Sequence, residues 1–385
     1  MQKIGLSVCY DTKNFGSQLQ VLATDYKVKE LGYETEIIRY KKKLSPVFLL
    51  QSLPRFFNPF FIKGKLTGRK KRKEIAKHPE IAKEVKKRNQ YFDNFVKTHF
   101  TNLSKPYVGW EALKRDSAGA YDAFLCGSDQ LWLPSNLGSH FYTLEFAPDD
   151  KAKIAYATSF GVSRIPWFQK RRTTKYLNRF AALSTRELAG GRIIEDLTGK
   201  KPEVVCDPTL LLTREEWADV IPENRKVKEP YVFCYFLGTN IEHREAAKTF
   251  AEKTGLKIVT CPFLDHFVEA DMSFGDERLY EVDAADFVNL IRNAEYILTD
   301  SFHGSVFSIL HHKKFVTFNR FGNGANSRNS RIDSLCKLLG LESRRFAGDI
   351  YANAVSEIDY SQVDVKLTKL RTKSENYLRD ALKNI

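Results

Sequence analysis

The sequence of 385 residues lacks most of the features that would assign a function directly. Its six cysteines form no C-x-x-C pair and several lie in apolar runs, which favours a reduced, cytoplasmic protein. The first ten residues are too interrupted for a signal peptide, and no stretch reaches the roughly 18 to 20 apolar residues of a membrane span. Without an H-E-x-x-H motif, a Cys/His cluster or a G-x-S-x-G elbow, we expect neither a metal site nor a serine hydrolase.

Positive charge, by contrast, is in excess. Lys and Arg number 61 against 47 Asp and Glu, which gives a formal net charge of +14. Such a surplus predicts attraction to a phosphorylated substrate, a nucleic acid or a lipid surface. Much of it lies in residues 68–100, and no recognised nucleic-acid-binding motif accompanies it, so we expect no nucleic-acid partner.

Apolar runs with strand character alternate with runs of helical periodicity, the pattern of a doubly wound α/β fold. The alternation starts at residue 3 and starts again at residue 231. A polar, proline-marked stretch at 220–230 separates these two parts of the chain. We predict two Rossmann-like domains facing a cleft, at residues 1–222 and 223–350. A helical, basic insertion occupies about 41–115, and the tail and helix of 351–385 are expected to pack back on the first domain.

The most unusual turn is "DSFHGS", at residues 300–305, where polar side chains interrupt a buried strand and a buried helix. A helix starting near Ser301 to Gly304 would present free N–H groups and its positive dipole end to an anion. His303 could bind that anion or transfer a proton. The alternative is that Ser301 only caps the helix and His303 is a hydrogen-bonded core residue.

Three further strand ends carry candidates, because ligands of parallel sheets bind beyond the carboxyl ends of the strands. Arg186 in "LSTRE" could offer a fork to a phosphate, or it could pair with its neighbour Glu187 or with a surface carboxylate. Asp129 in "GSDQLW" could orient a sugar hydroxyl or act as a base, or it could form an Asx turn. "NFGS", at residues 14–17, is similar to a short anion-binding turn, although it matches no dinucleotide or Walker motif.

In this order, the loops resemble those of the polysaccharide pyruvyl transferase family. The matching pieces are "NFGSQLQVLATDYKVKELGYETEIIRY", "DAFLCGSDQLW", "IAYATSFG", "LSTRE", "VVCDPTLLLTREEW", "DFVNLIRNAEYILTDSFHGSVFSI" and "SRIDSLCKLLGL". The resemblance implies a glycosyltransferase-B-like fold with phosphoenolpyruvate in the cleft, and transfer of pyruvate as a cyclic ketal onto two sugar hydroxyls. Phosphoenolpyruvate is then the donor substrate and no cofactor is expected.

The resemblance also implies residue roles. Arg186 and His303 would contact phosphoenolpyruvate, with His303 as the general acid or as the source of the proton that stabilises the leaving phosphate. Asp129 and Asp300 are weaker candidates for activating the sugar hydroxyls. Other expected substrate-binding residues are Ser301, Phe302, Gly304, Asn14, Gly16 and Ser128.

We expect the acceptor to be a lipid-linked sugar or glycan. Within the insertion, residues 44–73 place aromatic side chains beside a basic run, which predicts peripheral contact with an anionic membrane. The alternative is a helical flap packed on the first domain. For the whole chain, the alternatives are a nucleotide-sugar-dependent glycosyltransferase of the same architecture and a catalytically inactive scaffold.

Overall fold

The computed structural model of the protein describes residues 1–43, 59–135, 140–321, 329–383 and 385. The strands are β1 (Lys3–Ser7), β2 (Glu34–Ile37), β3 (Tyr40–Lys41), β4 (Tyr107–Val108), β5 (Ala123–Cys126), β6 (Ala152–Ala155), β7 (Ala182–Thr185), β8 (Glu203–Val204), β9 (Tyr231–Tyr235), β10 (Lys257–Thr260), β11 (Glu277–Arg278), β12 (Tyr296–Thr299) and β13 (Lys314–Thr317). The α-helices are α1 (Phe15–Glu30), α2 (Pro59–Ala76), α3 (Pro79–His99), α4 (Trp110–Ala118), α5 (Trp167–Leu177), α6 (Leu188–Thr198), α7 (Arg214–Val220), α8 (Ile241–Thr254), α9 (Ala284–Asn293), α10 (Phe302–Leu310), α11 (Ser330–Leu339), α12 (Ile350–Val355) and α13 (Tyr360–Lys383).

These elements build two α/β units, each on its own parallel sheet, as the sequence predicts. The first sheet has the strand order β2-β1-β5-β6-β7-β8, and the second has the order β11-β10-β9-β12-β13. The direction of winding reverses between β1 and β5 in the first sheet and between β9 and β12 in the second. Such switch points open a crevice at the carboxyl ends of the strands, so they mark where a ligand site is expected in each unit.

The helices of the insertion contact both units rather than the first alone. Helix α3 buries Ile81, Phe92 and Phe95. On the side of the second unit, Arg88 Nη1 lies 2.9 Å from Asp265 Oδ1, and Lys87 Nζ lies 3.2 Å from Glu281 Oε1. The helical content expected here is therefore present, and the insertion links the two units.

Part of the segment expected to contact a membrane, residues 44–58, lies outside the described residues. The rest begins helix α2, on which the side chains of Ile62 and Leu66 are 41% and 58% exposed. Among the residues that the structure describes, no helix is long and apolar enough to cross a bilayer.

The C-terminal helix α13 returns to the first unit after the chain has left the second. The hydroxyl of Ser374 accepts a hydrogen bond of 2.9 Å from the amide of Cys206, and the hydroxyl of Tyr377 donates one of 2.8 Å to the carbonyl of Ala155. Leu378 and Leu382 on the same helix are buried. Helix α13 therefore covers strands of the first sheet.

Phe15, at the start of α1, lies where the first unit, the insertion and the second unit meet. Its ring stacks on Phe92 of α3 at a centroid distance of 4.9 Å and on Phe287 of α9 at 4.8 Å. Tyr235, at the end of β9, packs against the same ring at 5.7 Å. One buried aromatic side chain therefore joins three parts of the chain that are far apart in sequence.

We expect Phe15→Ala to lower the free energy of unfolding by about 3–5 kcal/mol, because it leaves a cavity among three aromatic rings. Urea unfolding followed by circular dichroism would measure the loss. Phe168→Ala is the matched control, since Phe168 is 41% exposed, and its effect should stay within about 0.5 kcal/mol. Equal losses in the two variants would show that Phe15 does not join the units.

Candidate active site at the cleft between the two units

A cavity of about 250 Å³ lies between the units, at the two switch points. Five of the predicted site residues line it: Asn14, Asp129, Ser301, Phe302 and His303. Asn14 and Asp129 follow β1 and β5 of the first sheet, and the other three follow β12 of the second. The cleft therefore brings together residues that the sequence places up to 289 positions apart.

The "DSFHGS" turn forms a helix start, as the sequence predicts. Ser301 caps α10, and its hydroxyl accepts a hydrogen bond of 3.3 Å from the amide of Gly304. Gly304 itself is packed tightly, because an added Cβ would lie 2.6 Å from Thr299 Oγ1. Gly304 thus serves the packing of the turn, while Ser301, Phe302 and His303 face the cavity.

His303 is not a hydrogen-bonded core residue. Its side chain is 8% exposed, and its Nε2 atom has no hydrogen-bond partner among the described residues. The nearest carboxylate oxygen is Asp207 Oδ1, at 3.7 Å from Nε2. The His303 side chain lies in the wall of the cavity, while its buried Nε2 atom lies on the side of Asp207.

The start of helix α1 lies directly against His303. The side chain of Asn14 caps α1 by accepting a hydrogen bond of 3.1 Å from the amide of Ser17. A Cβ added to Gly16 would lie 1.9 Å from His303 Nδ1, so only glycine permits this contact. The N-termini of α1 and α10 therefore converge on one cavity, and both bring positive dipole ends to it.

Arg186 is buried behind the cavity and does not line it. Its Nη1 atom donates to Asp207 Oδ2 and, at 3.3 Å, to Ser128 Oγ, and its Nη2 atom lies 3.2 Å from Asp129 Oδ1. Arg186 is therefore paired with protein carboxylates, as the alternative from the sequence expected, but these are Asp207 and Asp129 and not Glu187 or a surface carboxylate. The carboxylate of Glu187 accepts hydrogen bonds from Ser159 Oγ at 2.9 Å and from the Phe160 amide at 3.0 Å instead.

Asp129 is held in an unusual backbone conformation, with φ at 79°, and its carboxylate is well supplied with donors. Ser17 Oγ donates to Oδ2 at 2.6 Å, and the amide of Gln130 donates to Oδ1 at 2.8 Å. Burial raises the pKa of Asp129, but the charges of Arg186 and His303 outweigh burial and lower the pKa to about 2. Asp129 is therefore ionised and only weakly basic.

The carboxylate of Asp300 binds backbone amides of the second unit. Its two carboxylate oxygens accept hydrogen bonds from the amides of Leu237 at 2.7 Å and Gly238 at 2.9 Å. Asp300 is fully buried and is absent from the cavity wall, and Arg320 binds its carbonyl oxygen at 2.8 Å. The expected activation of a sugar hydroxyl by Asp300 finds no support in this geometry and stays a prediction from the sequence.

Several residues of the site were missed by the sequence analysis. Lys13, Arg320 and Arg331 supply cations to the cavity wall, and Asp207 joins Arg186 to His303. Asp207 follows strand β8 in the "CDPT" turn, so its place at a strand end was a usable signal. Arg331 lies in the first turn of α11, well beyond the end of β13, and no strand-end argument reaches it.

The amino-acid sequence matches a family model for polysaccharide pyruvyl transferase over residues 14–320. No curated protein matches the chain. This match covers all ten of the predicted site residues. It contains six of the seven loop motifs that carry the resemblance, and "SRIDSLCKLLGL" lies beyond it.

Solved structures similar to the chain include MnaA from S. aureus with UDP, at a TM-score of 0.56 and 12% identity, covering 100% of this chain and 98% of that one. UDP-GlcNAc 2-epimerase from Neisseria meningitidis, bound to UDP-GlcNAc, has a TM-score of 0.46 and 9% identity, covering 97% and 100% of the two chains. E. coli heptosyltransferase WaaC with ADP has a TM-score of 0.41 and 12% identity, covering 96% and 100%. At these identities the likeness to MnaA concerns the fold alone, and it confirms the predicted glycosyltransferase-B-like architecture.

We expect Asp207→Asn to lower the free energy of unfolding by about 3–5 kcal/mol at pH 7, because it leaves the buried Arg186 short of a counter-charge. Burial raises the pKa of Asp207, but Arg186 and the nearby His303 lower it well below its usual range. A carboxylate with a lowered folded-state pKa stabilises the protein above its unfolded-state pKa of about 3.9 and loses that contribution as the pH falls further. The difference between wild type and variant should therefore shrink below about pH 4.

Urea unfolding over a series of pH values would measure this difference. Asp219→Asn is the control, because Asp219 is exposed and the variant should unfold like wild type at every pH. A difference for Asp207→Asn that stays constant or grows on acidification would contradict the charge pairing of Asp207 with Arg186.

Proposed function

The chain belongs to the polysaccharide pyruvyl transferase family, and we propose that its donor is phosphoenolpyruvate, which it transfers as a cyclic pyruvate ketal onto two hydroxyls of a sugar acceptor. The observation that carries this proposal is the His303 side chain in the wall of a cavity where two helix N-termini converge. A small anion with a transferable group needs both of these features.

The size and charge of the cavity support a compact anionic donor. Its volume of about 250 Å³ lies below the roughly 300–1,000 Å³ of pockets that take drug-sized ligands. Lys13, Arg320 and Arg331 line it together with two carboxylates, Asp129 and Asp265. A phosphate with a carboxylate close by fits such a space better than a sugar nucleotide does.

The proposed reaction balances without an oxidant or a metal. A proton adds to the methylene carbon of phosphoenolpyruvate, and the first sugar hydroxyl forms a bond to the neighbouring carbon. The bond from that carbon to the phosphate oxygen then breaks, and the second hydroxyl attacks the resulting oxocarbenium centre. One hydroxyl proton replaces the proton used on the methylene carbon, and the other leaves with the phosphate.

His303 is the proposed proton donor, either to the methylene carbon or to the departing phosphate. The carboxylate of Asp207, 3.7 Å from Nε2, can partner the ring when it is positively charged.

Asp129 suits orientation of a sugar hydroxyl, because its pKa of about 2 makes it a weak base. Attack on an oxocarbenium centre does not require a strong base, since the hydroxyl proton becomes acidic as the new bond forms. Contact of Arg186 with the donor remains a prediction, because its fork is occupied by protein groups.

We further propose that the acceptor glycan is lipid-linked and that the protein meets it at an anionic membrane surface. Helix α2 supports this, because Ile62 and Leu66 are exposed beside a run of cations. These cations are Lys63, Lys65, Arg69, Lys70, Lys71, Arg72 and Lys73. A helix with an apolar patch and a basic face binds anionic lipid through both burial and charge.

The donor is tested by thermal unfolding with phosphoenolpyruvate and with UDP-sugars. Phosphoenolpyruvate should raise the Tm of the wild type, since a ligand that binds only the folded state stabilises it. His303→Asn should show a smaller shift, and its turnover should fall by roughly 10²- to 10⁴-fold, the usual contribution of a general acid.

The matched control is His312→Asn. His312 lies two residues beyond the end of the same helix, and its φ of 52° is one that asparagine tolerates. This variant should respond to phosphoenolpyruvate as the wild type does. Stabilisation by a UDP-sugar alone would overturn the donor assignment and favour a nucleotide-sugar-dependent glycosyltransferase.

The membrane contact is tested by co-sedimentation with vesicles. Wild type should sediment with phosphatidylcholine vesicles that contain phosphatidylglycerol, and not with phosphatidylcholine alone. Ile62→Ser combined with Leu66→Ser should reduce sedimentation several-fold, because both apolar anchors are lost. Val365→Ser, at a side chain that is 67% exposed on α13, is the control. Wild type that stays in the supernatant with both vesicles would rule out the contact.

A further inference from the structure

Arg331 stands out among the cations of the cavity because it makes no hydrogen bond or ion pair with the described residues, although the more distant charge of Asp129 attracts it. It lines the cavity from the first turn of α11, and its Nε atom is buried without a hydrogen-bond partner among the described residues. Its guanidinium carbon lies 5.6 Å from the centroid of the Phe302 ring, and that of Arg186 lies 4.7 Å from the same centroid. Phe302 thus packs against Arg331 at the cavity and against Arg186 behind it.

The other cations of the site all have protein partners. Lys13 pairs with Asp93, Arg320 binds the carbonyl oxygen of Asp300, and Arg186 binds two carboxylates. A cation taken out of water is costly unless a counter-charge or a hydrogen-bond acceptor replaces the water. Arg331 is only partly buried, but its buried Nε atom has no acceptor among the described residues, and a bound anion would supply one.

The electrostatic surroundings of Arg331 agree with this. Burial and the charge of Arg186 lower the pKa of Arg331 from its ordinary range, yet an arginine that starts from about 12.5 stays charged at neutral pH. Arg186 is already compensated by Asp207 and Asp129, and Asp129 also attracts Arg331. The charge that an anion bound between the helix N-termini and Arg331 would meet is therefore that of Arg331.

We propose that Arg331 forms a carboxylate subsite, whose guanidinium fork donates two parallel hydrogen bonds to the carboxylate of the donor. The inference rests on the proposed function, because it takes phosphoenolpyruvate as the donor. A planar fork matches the two oxygens of a carboxylate, whereas the N–H groups at a helix start suit a phosphate. The phosphate is accordingly assigned to the side of the cavity formed by the N-termini of α1 and α10 and by His303.

Isothermal titration of the full chain with phosphoenolpyruvate, pyruvate and inorganic phosphate separates the two subsites. Arg331→Gln should weaken the binding of phosphoenolpyruvate by roughly 10- to 100-fold, the usual loss of affinity when a charged hydrogen-bonding group is removed. The variant should bind pyruvate more weakly by a similar factor, and its affinity for phosphate should stay within about threefold of that of wild type. The affinity of Arg331→Lys for phosphoenolpyruvate should lie between those of wild type and Arg331→Gln, since lysine keeps the charge and loses the fork.

Lys337→Gln is the matched control, because it removes one positive charge from an exposed position on the same helix and should bind all three ligands as wild type does. Arg331→Gln should fold normally, with a Tm without ligand close to that of wild type, since no hydrogen bond to the described residues is lost. A variant that binds phosphoenolpyruvate as tightly as wild type, or that loses phosphate as strongly as pyruvate, would overturn the carboxylate subsite while leaving the donor assignment intact. Wild type that binds no phosphoenolpyruvate would overturn both.

Discussion

The buried charge of Arg186 is the constraint on which the rest of the site depends. Its side chain is 1% exposed, so the positive charge has to be matched by protein groups. Asp207 and Asp129 supply the match, and they come from the ends of β8 and β5, while Arg186 follows β7. Pairing one cation with two carboxylates fixes three loops relative to one another. Because Asp207 also lies 3.7 Å from His303 Nε2, the same pairing reaches the second unit.

Much of this arrangement follows from local sequence rules, and the part that does not has a definite cause. The alternation of strand and helix predicted both sheets, and the sequence offered Ser301 as the cap of its helix. Asp129 and Asp300, however, look alike in the sequence, since each follows an apolar strand. One reaches the cavity and the other binds the amides of Leu237 and Gly238. Only the path of the loop after β9 decides between these two outcomes, and no pattern local to Asp300 contains it.

Arg331 shows a second kind of limit. Its importance comes from what is absent around it among the described residues, namely a carboxylate or carbonyl partner. An absence of this kind is a property of the folded chain and leaves no mark on the residues beside it in the sequence. By contrast, a glycine at position 16 was predicted as part of an anion-binding turn. The structure gives it a different reason to be there, which is the close approach of the His303 ring.

The contact between Gly16 and His303 also explains why the insertion matters to the chemistry. The cavity exists only while α1 of the first unit and α10 of the second face each other at this distance, so any part of the chain that fixes the two units fixes the site. Helix α3 does so through Phe92, which stacks on Phe15, and through the ion pair of Arg88 with Asp265, a residue of the cavity wall. The insertion that looks like an appendage in the sequence is therefore part of the framework that holds His303 against the start of α1. One hydrophobic core runs through both units, from Leu6 of β1 to Phe233 of β9, and Phe92 of α3 is part of it. A change in α3 therefore alters the packing that holds the two walls of the cavity together.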